Sequence, residues 1–291
     1  MLEDYELARR LLFQKQYPGS RIAGVTAELR KQADLEALER FWSGWLANDQ
    51  VTLLVGDQCF AIAAHAQTDF STGQPETILV EQVGLGAEML AFLSDRARQW
   101  GDEFLAVRHY PEDARLTDLL PRLGLAPELT RVVRSTQTWT EPTVPVRPAR
   151  SRDRGFMSRL HVEHSAFYRS SNRDGADLGS LDAVTHYLGL DLTRYLGWVD
   201  EAAQGYVLLE RDFTLDLLER KGVYLYDIAV RPDSWGRGLA VSLHEAAMAG
   251  ARELGYETVV GDIAYENQRA FWVATEKLGY QVEWRRWGVN L

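Results

Sequence analysis

Two glycines separated by a single residue follow an apolar, strand-like segment and come directly before an amphipathic helical pattern. Gly236 and Gly238 lie in the run WGRG, a few residues after the segment Val223–Val230. Without a Cβ, they allow backbone conformations and a close approach that let successive N–H groups converge on one point. The positive end of the following helix favours a phosphate there, and Arg237 adds a charge-assisted contact. The spacing therefore predicts a phosphate-binding loop at this turn.

The elements around this turn are those of an α/β fold with a mixed sheet. Apolar periodicity predicts a helix over Leu239–Leu254 with Gly255 as its C-cap. The preceding strand ends before Pro232, because proline cannot continue the hydrogen-bonded ladder. The other elements predicted for the C-terminal half are strands over 146–149, 195–199, 206–210, 257–263 and 282–289, and helices over 156–167, 181–188 and 269–278.

A long internal repeat is visible along the chain. The segment 97–103, ARQWGDE, resembles 251–257, ARELGYE, at an offset of 251 − 97 = 154 residues. The same offset places Gly84 on Gly238, and the pair Leu-Gly at 123–124 matches 278–279 one residue later. Several landmarks at nearly constant spacing predict two copies of one unit of about 150 residues, the usual size of a domain.

The boundary between the copies is predicted at the stretch TEPTVP, which has two prolines and no helical or strand period. We expect a first domain over 1–140, a linker over 141–145 and a second domain over 146–291. The first copy has no room for a counterpart of the strand that opens the second. It is therefore truncated, or it takes a strand from elsewhere.

Composition excludes several classes of protein. The 291 residues have a net charge of −10, which disfavours binding to a phosphate backbone. The single cysteine, Cys59, allows no disulfide within the chain, and the acidic start MLEDYELARR has no signal-peptide pattern. No apolar run approaches the roughly 18–20 residues of a membrane span. We expect a cytoplasmic protein with neither nucleic-acid nor membrane partners.

The segment 228–240, IAVRPDSWGRGLA, resembles the acetyl-CoA pyrophosphate loop of the GCN5-related N-acetyltransferases, written Gln/Arg-x-x-Gly-x-Gly/Ala. Trp235 is interpreted as standing where Gln or Arg is usual. Farther on, NQRA at 267–270 resembles the family's Asn-x-x-Ala segment, and EKLGY at 276–280 resembles its Glu-Lys-Leu-Gly-Phe/Tyr ending. The resemblance covers roughly 146–291 and implies acetyl-CoA as co-substrate, with no metal.

The resemblance also implies how acetyl-CoA is held. Two parallel strands splay apart at their C-terminal ends, the pantetheine arm lies in the opening, and the pyrophosphate lies on the glycine loop. The residues implied to bind acetyl-CoA are Ile228, Ala229 and Val230 on the strand, Trp235, Gly236, Arg237, Gly238, Leu239, Ala240 and Val241 at the loop, and Asn267 beside the pantetheine arm.

The first copy is predicted to be a degenerate version of the same fold. Its counterpart of the loop reads EQVGLG at 81–86, with the acidic Glu81 beside the expected pyrophosphate position and no equivalent of Arg237. Its counterpart of Asn267 is Asp113, since 267 − 154 = 113. Because carboxylates repel a diphosphate, we expect this copy to bind no CoA and to serve a structural or substrate-shaping purpose.

Acetylation of an amine requires a base, because alkylamines are mostly protonated at neutral pH. The resemblance makes Asp262 one candidate, since some family members have a glutamate base at that strand end. Asp227 is the second, because it lies within the strand implied to hold the thioester. Either carboxylate has a simpler interpretation: Asp262 as a cap at a strand end, and Asp227 as a solvent-facing residue.

The acid that protonates the leaving thiolate is less clearly marked. The family often has a tyrosine four residues before the final glycine, where this chain has Thr275 in a helix one residue longer than usual. Tyr226 is taken as the candidate stand-in. Tyr224, Tyr265 and Tyr280 are further alternatives, although tyrosines more often serve as core or rim aromatics.

Two other motifs carry less weight. His161 and His164 share a helix face in the manner of a metal pair, but no third ligand stands at a useful spacing, so we interpret them as a solvated face. Cys59 lies in an apolar strand and is interpreted as buried, so direct transfer in a ternary complex is favoured over a covalent intermediate. The polar loop over 169–177 is implied to wall the acceptor site.

These observations predict an N-acetyltransferase that acts on a primary amine of a small molecule or peptide, as a monomer or homodimer. Two alternatives stay open. A non-catalytic CoA sensor or scaffold would explain the missing tyrosine. A tandem enzyme resembling mycothiol synthase would also pair a degenerate copy with an active one.

Overall fold

The computed structural model describes residues 51–55, 60–66, 75–83, 85–111, 114–165, 189, 194–214 and 221–291. The strands of this part are β1 (Val51–Val55), β2 (Phe60–Ala66), β3 (Glu76–Val83), β4 (Phe104–His109), β5 (Ala126–Ser135), β6 (Val146–Pro148), β7 (Tyr195–Asp200), β8 (Gly205–Thr214), β9 (Lys221–Val230), β10 (Thr258–Ala264) and β11 (Gln281–Asn290). Its α-helices are α1 (Ala87–Trp100), α2 (Ala114–Arg122), α3 (Arg154–Ser165), α4 (Leu239–Glu253) and α5 (Gln268–Trp272).

One compact unit comprises residues 1–129 and 283–291. Its sheet has the order β1-β2-β3-β4-β11, with β3 and β4 parallel and the other neighbours antiparallel. Helix α1 makes the crossover between the two parallel strands, as parallel pairing requires. Its apolar side packs with α2 and the strands into a core that includes Leu93, Leu105, Leu116 and Trp287.

The other compact unit comprises residues 130–282. Its sheet has the order β5-β10-β9-β8-β7-β6, in which β9 and β10 are parallel and β6 to β9 are antiparallel. A core of Val207, Leu209, Val223 and Leu243 packs helix α4 on one face of the sheet. A second core on the other face includes Met157 and Leu160 of α3 with Tyr206, Leu208 and Ala229.

The last strand of each half of the sequence belongs mainly to the unit formed by the other half. Strand β11 pairs antiparallel with β4, from Arg285↔His109 to Asn290↔Phe104. Residues 130–135 of β5 lie in the unit that contains β10. Strand exchange therefore gives the first unit β11 in the position beside β4 that β5 has beside β10 in the second unit. The exchange concerns the last strand of each half and not a counterpart of the opening strand β6.

Arginines that are buried or largely buried hold both exchanged strands. In β11, Arg286 donates from Nε to Glu128 at 2.8 Å and from Nη2 to the buried carboxylate of Glu76. In β5, Arg134 donates from Nη1 to Glu245 of α4 at 2.7 Å, and both side chains are buried. The buried carboxylates of Glu76 and Glu245 are thus both paired with an arginine, as burial of a charge requires.

Backbone landmarks recur between the two halves. Gly101 and Gly255 end α1 and α4 with φ of +82° and +87°, and Gly124 and Gly279 share φ of +83° and +69°. Strands β5 and β11 begin 281 − 126 = 155 residues apart. The offset fails at the connection before the helix: β3 ends at residue 83 and α1 begins at 87, whereas β9 ends at 230 and α4 begins at 239. Gly84 itself lies outside the described residues.

The predicted helix over 269–278 is interrupted. Helix α5 ends at Trp272, and Val273–Lys277 continues as one π-helical turn in which Leu278 N–H donates to Val273 O at 3.0 Å. A π turn accommodates an inserted residue within a helix. The extra residue is thereby absorbed, and Ala274 and Leu278 both stay in the core. The helix predicted over 181–188 lies outside the described residues.

The segment between the copies lies along helix α4. Residues 141–145 form neither helix nor strand. Thr143 and Val144 donate their backbone N–H groups to Ser242 Oγ at 3.1 and 3.0 Å, and Thr140 N–H donates to Glu245 Oε2 at 2.6 Å. These bonds bring Thr143 close to the N-terminus of α4. Among the helices described, none is long and apolar enough to cross a membrane.

Candidate active site

Strands β9 and β10 part from each other before they end. Their ladder runs from Val259↔Val223 to Gly261↔Leu225, and the described residues of the two strands make no further pairs with each other. Strand β9 nevertheless continues to Val230, where it remains paired with β8. The result is the wedge-shaped opening that the sequence resemblance implied, with Ile228, Ala229 and Val230 along one side.

A β-bulge turns two consecutive side chains of β9 toward helix α3. Leu225 pairs with Leu209, but the next pair along is Asp227 with Leu208, so Tyr226 is the extra residue. Leu225 packs into the core beside α4, whereas Tyr226 packs into the core beside α3. Because the bulge interrupts the alternation of faces, Asp227 also points toward α3.

The glycine loop has the geometry of an anion-binding nest. Gly236 and Gly238 have φ of +77° and +79°, a region in which residues with a Cβ are strained, and Gly238 is the N-cap of α4. The first helical bond runs from Ser242 N–H to Gly238 O at 3.0 Å. The N–H groups of residues 239–241 therefore have no acceptor within the helix. These donors and the helix dipole point at the mouth of the loop.

The space directly beside the two glycines is open. An added Cβ at Gly236 would meet nothing within 4 Å, and one at Gly238 would meet only Thr143 Oγ1 at 3.9 Å. The side chain of Arg237 is exposed beside these N–H groups. A diphosphate fits this set of backbone donors and nearby positive charge.

Trp235 holds the loop against the end of strand β9. Its indole Nε1–H donates to Val230 O at 2.7 Å, and the guanidinium of Arg269 lies 4.4 Å from the ring centre. Counted back three positions from Gly236, the family's Gln or Arg corresponds to Asp233, which corrects the interpretation of Trp235 as that residue. The structure gives Trp235 a positioning contact within the loop.

Asn267 begins helix α5 as its N-cap. Its Oδ1 accepts from Ala270 N–H at 3.0 Å, an ordinary capping bond. The capping bond uses the carbonyl side of the amide. It fixes the side chain just beyond the C-terminal end of β10, on the same strand end that carries Asp262.

Asp262 is held in a two-point ion pair. Arg131 donates from Nε to Oδ1 at 2.7 Å and from Nη2 to Oδ2 at 2.5 Å. The Tyr224 hydroxyl donates to Oδ2 at 3.3 Å, and the Arg131 guanidinium also lies over the Phe213 ring. Both carboxylate oxygens therefore already accept charge-assisted hydrogen bonds from one arginine.

Asp227 lies in a different environment. Its Oδ2 accepts a hydrogen bond from the Tyr206 hydroxyl and lies 2.8 Å from Nδ1 of His161 on helix α3. The side chains of His161 and Asp227 are 13% and 12% exposed, so both are largely shielded from water. The solvent-facing alternatives considered for Asp227 and for His161 are therefore wrong. The side chain of His164 is outside the described part of the chain.

The tyrosines considered as acids differ in their surroundings. The Tyr226 ring packs edge-on against the Tyr195 ring, with 5.2 Å between the ring centres. Burial raises the pKa of Tyr226, and burial likewise raises the pKa of Tyr224. Tyr280 is buried, and its hydroxyl lies 2.6 Å from Nε2 of His244. Tyr265 is exposed. A raised pKa keeps a phenol protonated and able to donate at neutral pH.

Thr275 does not replace the expected tyrosine. Its hydroxyl donates to Phe271 O at 3.0 Å, within the helical turn. In the described part of the chain, no group of three or more His, Cys, Asp or Glu side chains could hold a metal ion. Residues 169–177, Cys59, Asp113 and the side chain of Glu81 lie outside what the structure describes.

Three residues of this site were missed from sequence: His161 as a partner of Asp227, Tyr206, and Arg131. One signal was available for His161. It stands four residues after Met157, which is a buried residue of the same helix, so helical periodicity places both on the inward face. Arg131 gave no such signal, because its contact with Asp262 depends on strand exchange.

A parallel strand pair that splays at its end, a nest of backbone donors and a helix N-terminus together define a fold and site of the GCN5-related N-acetyltransferase type. Residues 152–280 match the model of the acetyltransferase (GNAT) family, so this part of the chain is a GNAT domain. The GNAT family generally uses acetyl-CoA.

A solved structure shows the same fold. A GCN5-related N-acetyltransferase from Sphaerobacter thermophilus superposes with a TM-score of 0.52 at 15% identity, over 87% of this chain and 85% of that one. A tandem GNAT protein from the clavulanic acid biosynthesis pathway gives a TM-score of 0.46 at 14% identity, over 83% and 84% of the two chains. No curated protein matches the chain significantly.

Proposed function

We propose that this protein is an acetyl-CoA-dependent N-acetyltransferase that acts on a primary amine by direct transfer in a ternary complex. The observation that carries the proposal is the loop at 235–241, with two glycines in the left-handed region and the N-terminus of α4 directly behind it. Its donors suit the pyrophosphate, and the opening beside residues 228–230 suits the pantetheine arm. When bound, acetyl-CoA supplies an activated acetyl group and a good leaving thiolate.

In this proposal the proton acceptor of the reaction belongs to the cluster around Asp227 and is not Asp262. Asp227 directly precedes the segment 228–230 and faces helix α3. Asp262 is already neutralised by Arg131 at two points. Tyr226, which the bulge places beside Asp227, is the proposed source of a proton for the leaving group.

The first unit contributes no acetyl-CoA site in this proposal. Three residues separate β3 from α1, whereas eight separate β9 from α4. Gly86, the N-cap of α1, is extended with φ of −142° and ψ of 178°, unlike Gly238. A connection this short supplies no second nest, which supports the expectation of a degenerate copy over 1–140 followed by an active domain over 146–291.

The experiment combines binding with turnover. Isothermal titration with acetyl-CoA should give one site per chain, and release of free thiol should accelerate when amines from a panel of small molecules and peptides are added. Two sites per chain would contradict the assignment of the first copy. Absence of acetyl-CoA binding would contradict the proposed function itself.

A second candidate function is that of a CoA sensor without catalytic activity. For the sensor, as for the enzyme, we propose a cytoplasmic monomer or homodimer. The observation that favours it is the commitment of the Thr275 hydroxyl to Phe271 O, which leaves the family's usual acid position without a donor. Tight binding of acetyl-CoA with no thiol release from any amine in the panel would select the sensor. Turnover above the rate of uncatalysed hydrolysis would exclude it.

A further inference from the structure

A histidine and a carboxylate form a pair on the face of the sheet covered by helix α3. Nδ1 of His161 lies 2.8 Å from Oδ2 of Asp227, and the same oxygen accepts from the buried Tyr206 hydroxyl. The contact joins residues 66 positions apart in the sequence. It links the helix that covers this face to the strand that forms one side of the opening.

The pair lies where the two parallel strands separate. Leu225 is the last residue of β9 that pairs with β10, and Asp227 is the second residue after Leu225. The bulge at Tyr226 turns Asp227 away from the core beside α4 and toward His161. Without the bulge, alternation would place Asp227 on the opposite face. The geometry therefore brings an imidazole to the edge of the opening.

The hydrogen bond determines which imidazole nitrogen can accept a proton. A carboxylate only accepts, so neutral His161 carries its proton on Nδ1, and Nε2 has the lone pair. We propose that His161 Nε2 takes the proton from the amine substrate, and that Asp227 is a positioning residue that fixes the tautomer and stabilises the imidazolium. This inference rests on the proposed N-acetyltransferase function.

In the described part of the chain, charged and titratable groups near the pair lie on β7, β8, β9 and α3. Strands β8 and β9 contribute the hydroxyls of Tyr206 and Tyr226 as well as the carboxylate of Asp227. Tyr195 of β7 packs against Tyr226.

Two ion pairs lie farther out. Glu210 binds Arg194 through Nε at 2.9 Å, and on helix α3 Glu163 lies 3.6 Å from Arg231. Both flanking cations thus have carboxylate partners. Among the charged groups named here, Asp227 is the one whose carboxylate directly contacts the His161 ring.

The chemistry balances as follows. An ammonium substrate gives one proton to His161 Nε2 and becomes a neutral amine. A C–N bond to the acetyl carbon forms, the C–S bond breaks, and the electron pair leaves with the sulfur. Tyr226 gives its hydroxyl proton to the sulfur to form a thiol and regains a proton from the nitrogen, and the imidazolium releases its proton to solvent. The products are an amide, a free thiol and one proton.

The first test is kinetic, on the full-length protein with acetyl-CoA and the best amine of the panel. His161→Gln should lower kcat by about 10²- to 10³-fold, the usual contribution of general base catalysis, with the KM for acetyl-CoA unchanged. The acidic limb of the pH–rate profile should be lost. Glu163→Gln, two residues along the same helix, is the matched control and should leave the profile as it is.

Chemical rescue distinguishes a catalytic role of His161 from a purely structural one. In His161→Ala, added imidazole should restore part of kcat, and the restoration should increase with pH as the neutral form of imidazole increases. A His161→Gln protein that keeps kcat within about threefold and keeps its acidic limb would overturn the inference, as would a folded His161→Ala protein without rescue.

The second test does not depend on turnover. Two-bond ¹H–¹⁵N correlation spectra of the full chain, with the His161 signal assigned through His161→Gln, report which nitrogen bears the proton. We expect the Nδ1–H tautomer in the parent and the Nε2–H tautomer in Asp227→Asn, because an amide can donate to Nδ1. An Nε2–H tautomer in the parent would overturn the inference.

The two levels of the proposal fail in distinguishable ways. If the parent protein shows no turnover with any amine, the proposed function fails and the role of His161 fails with it. If the parent is active but His161→Gln is equally active, the acetyltransferase stands and only the role of His161 is lost.

Discussion

Arg131 and Asp262 join strand β5 to strand β10 by a two-point ion pair, with 2.7 Å between Nε and Oδ1 and 2.5 Å between Nη2 and Oδ2. The arginine lies on the strand that ends the first half of the sequence, and the aspartate lies on the strand beside the opening. Asp262, which the sequence made a candidate base, thus holds the exchanged strand β5 in place.

Asp262→Asn should therefore affect stability more than catalysis. Loss of the charge leaves Arg131 partly buried without its partner, and we expect the free energy of unfolding to fall by about 1.5–3 kcal/mol. The turnover number kcat should change by less than about threefold, and the pH–rate profile should be unaltered. Urea denaturation and thiol-release kinetics measure the two effects.

Asp95→Asn is the control for this substitution, because Asp95 is an exposed partner of Arg98. Its unfolding free energy should stay within about 0.5 kcal/mol of the parent. If Asp262→Asn instead lost most of its turnover at unchanged stability, Asp262 would be the base after all.

Gly238→Ala should abolish or strongly weaken the binding of acetyl-CoA. The residue has φ of +79° and caps α4, so a Cβ strains the backbone by about 1 kcal/mol and, if the proposal is right, also enters the space proposed for the diphosphate. The other end of the same helix supplies a matched control. Gly255→Ala introduces a Cβ at φ of +87° with nothing within 4 Å.

Both alanine variants should lose similar stability in thermal unfolding, because the backbone strain is similar. Calorimetric titration should separate them, with affinity retained in Gly255→Ala and lost in Gly238→Ala. Equal affinities in the two variants would mean that the ligand does not approach the loop at Gly238.

Trp235→Phe should weaken acetyl-CoA binding without abolishing it. The phenyl ring preserves a surface for Arg269 but cannot donate to Val230 O. Loss of one hydrogen bond that positions the loop should cost about 1 kcal/mol, a roughly fivefold increase in Kd. Trp272→Phe, at an exposed position on α5, is the control and should bind as the parent does. An unchanged Kd in Trp235→Phe would show that the loop holds its shape without this bond.

His244 should make the protein sensitive to acid. Burial on helix α4 lowers its pKa to about 3, and Nε2 lies 2.6 Å from the Tyr280 hydroxyl. The ordinary value is about 6.5, so between these values the unfolded chain binds a proton that the folded chain does not. Stability therefore falls as pH falls through this window, by up to about 1.4 kcal/mol per pH unit.

His244→Gln should remove this contribution, since glutamine keeps a polar partner for Tyr280 and does not titrate. Urea denaturation at several pH values from 7 to 4 should give a flatter dependence of unfolding free energy on pH for the variant. Parallel curves for parent and variant would show that His244 does not contribute to the acid sensitivity.

Local features of the second half were predictable because they depend on neighbours in the sequence. Apolar periodicity and glycine caps placed α4, β9 and β10 within one or two residues of their observed ends. Spacing alone also placed the glycine loop before α4. The interrupted helix after Trp272 was signalled only by its extra residue, since a π turn depends on which side chains must reach the core.

The sequence by itself determined that a glycine turn leads from an apolar strand into an amphipathic helix, and that short segments such as 97–103 resemble segments 154 to 155 residues later. Only the tertiary structure decided that β11 pairs with β4, that Asp262 is bound by Arg131, and that Asp227 is bound by His161. The reason is separation along the chain. These ion pairs join residues 131 and 66 positions apart, and strand exchange and the bulge bring them together, neither of which follows from local periodicity.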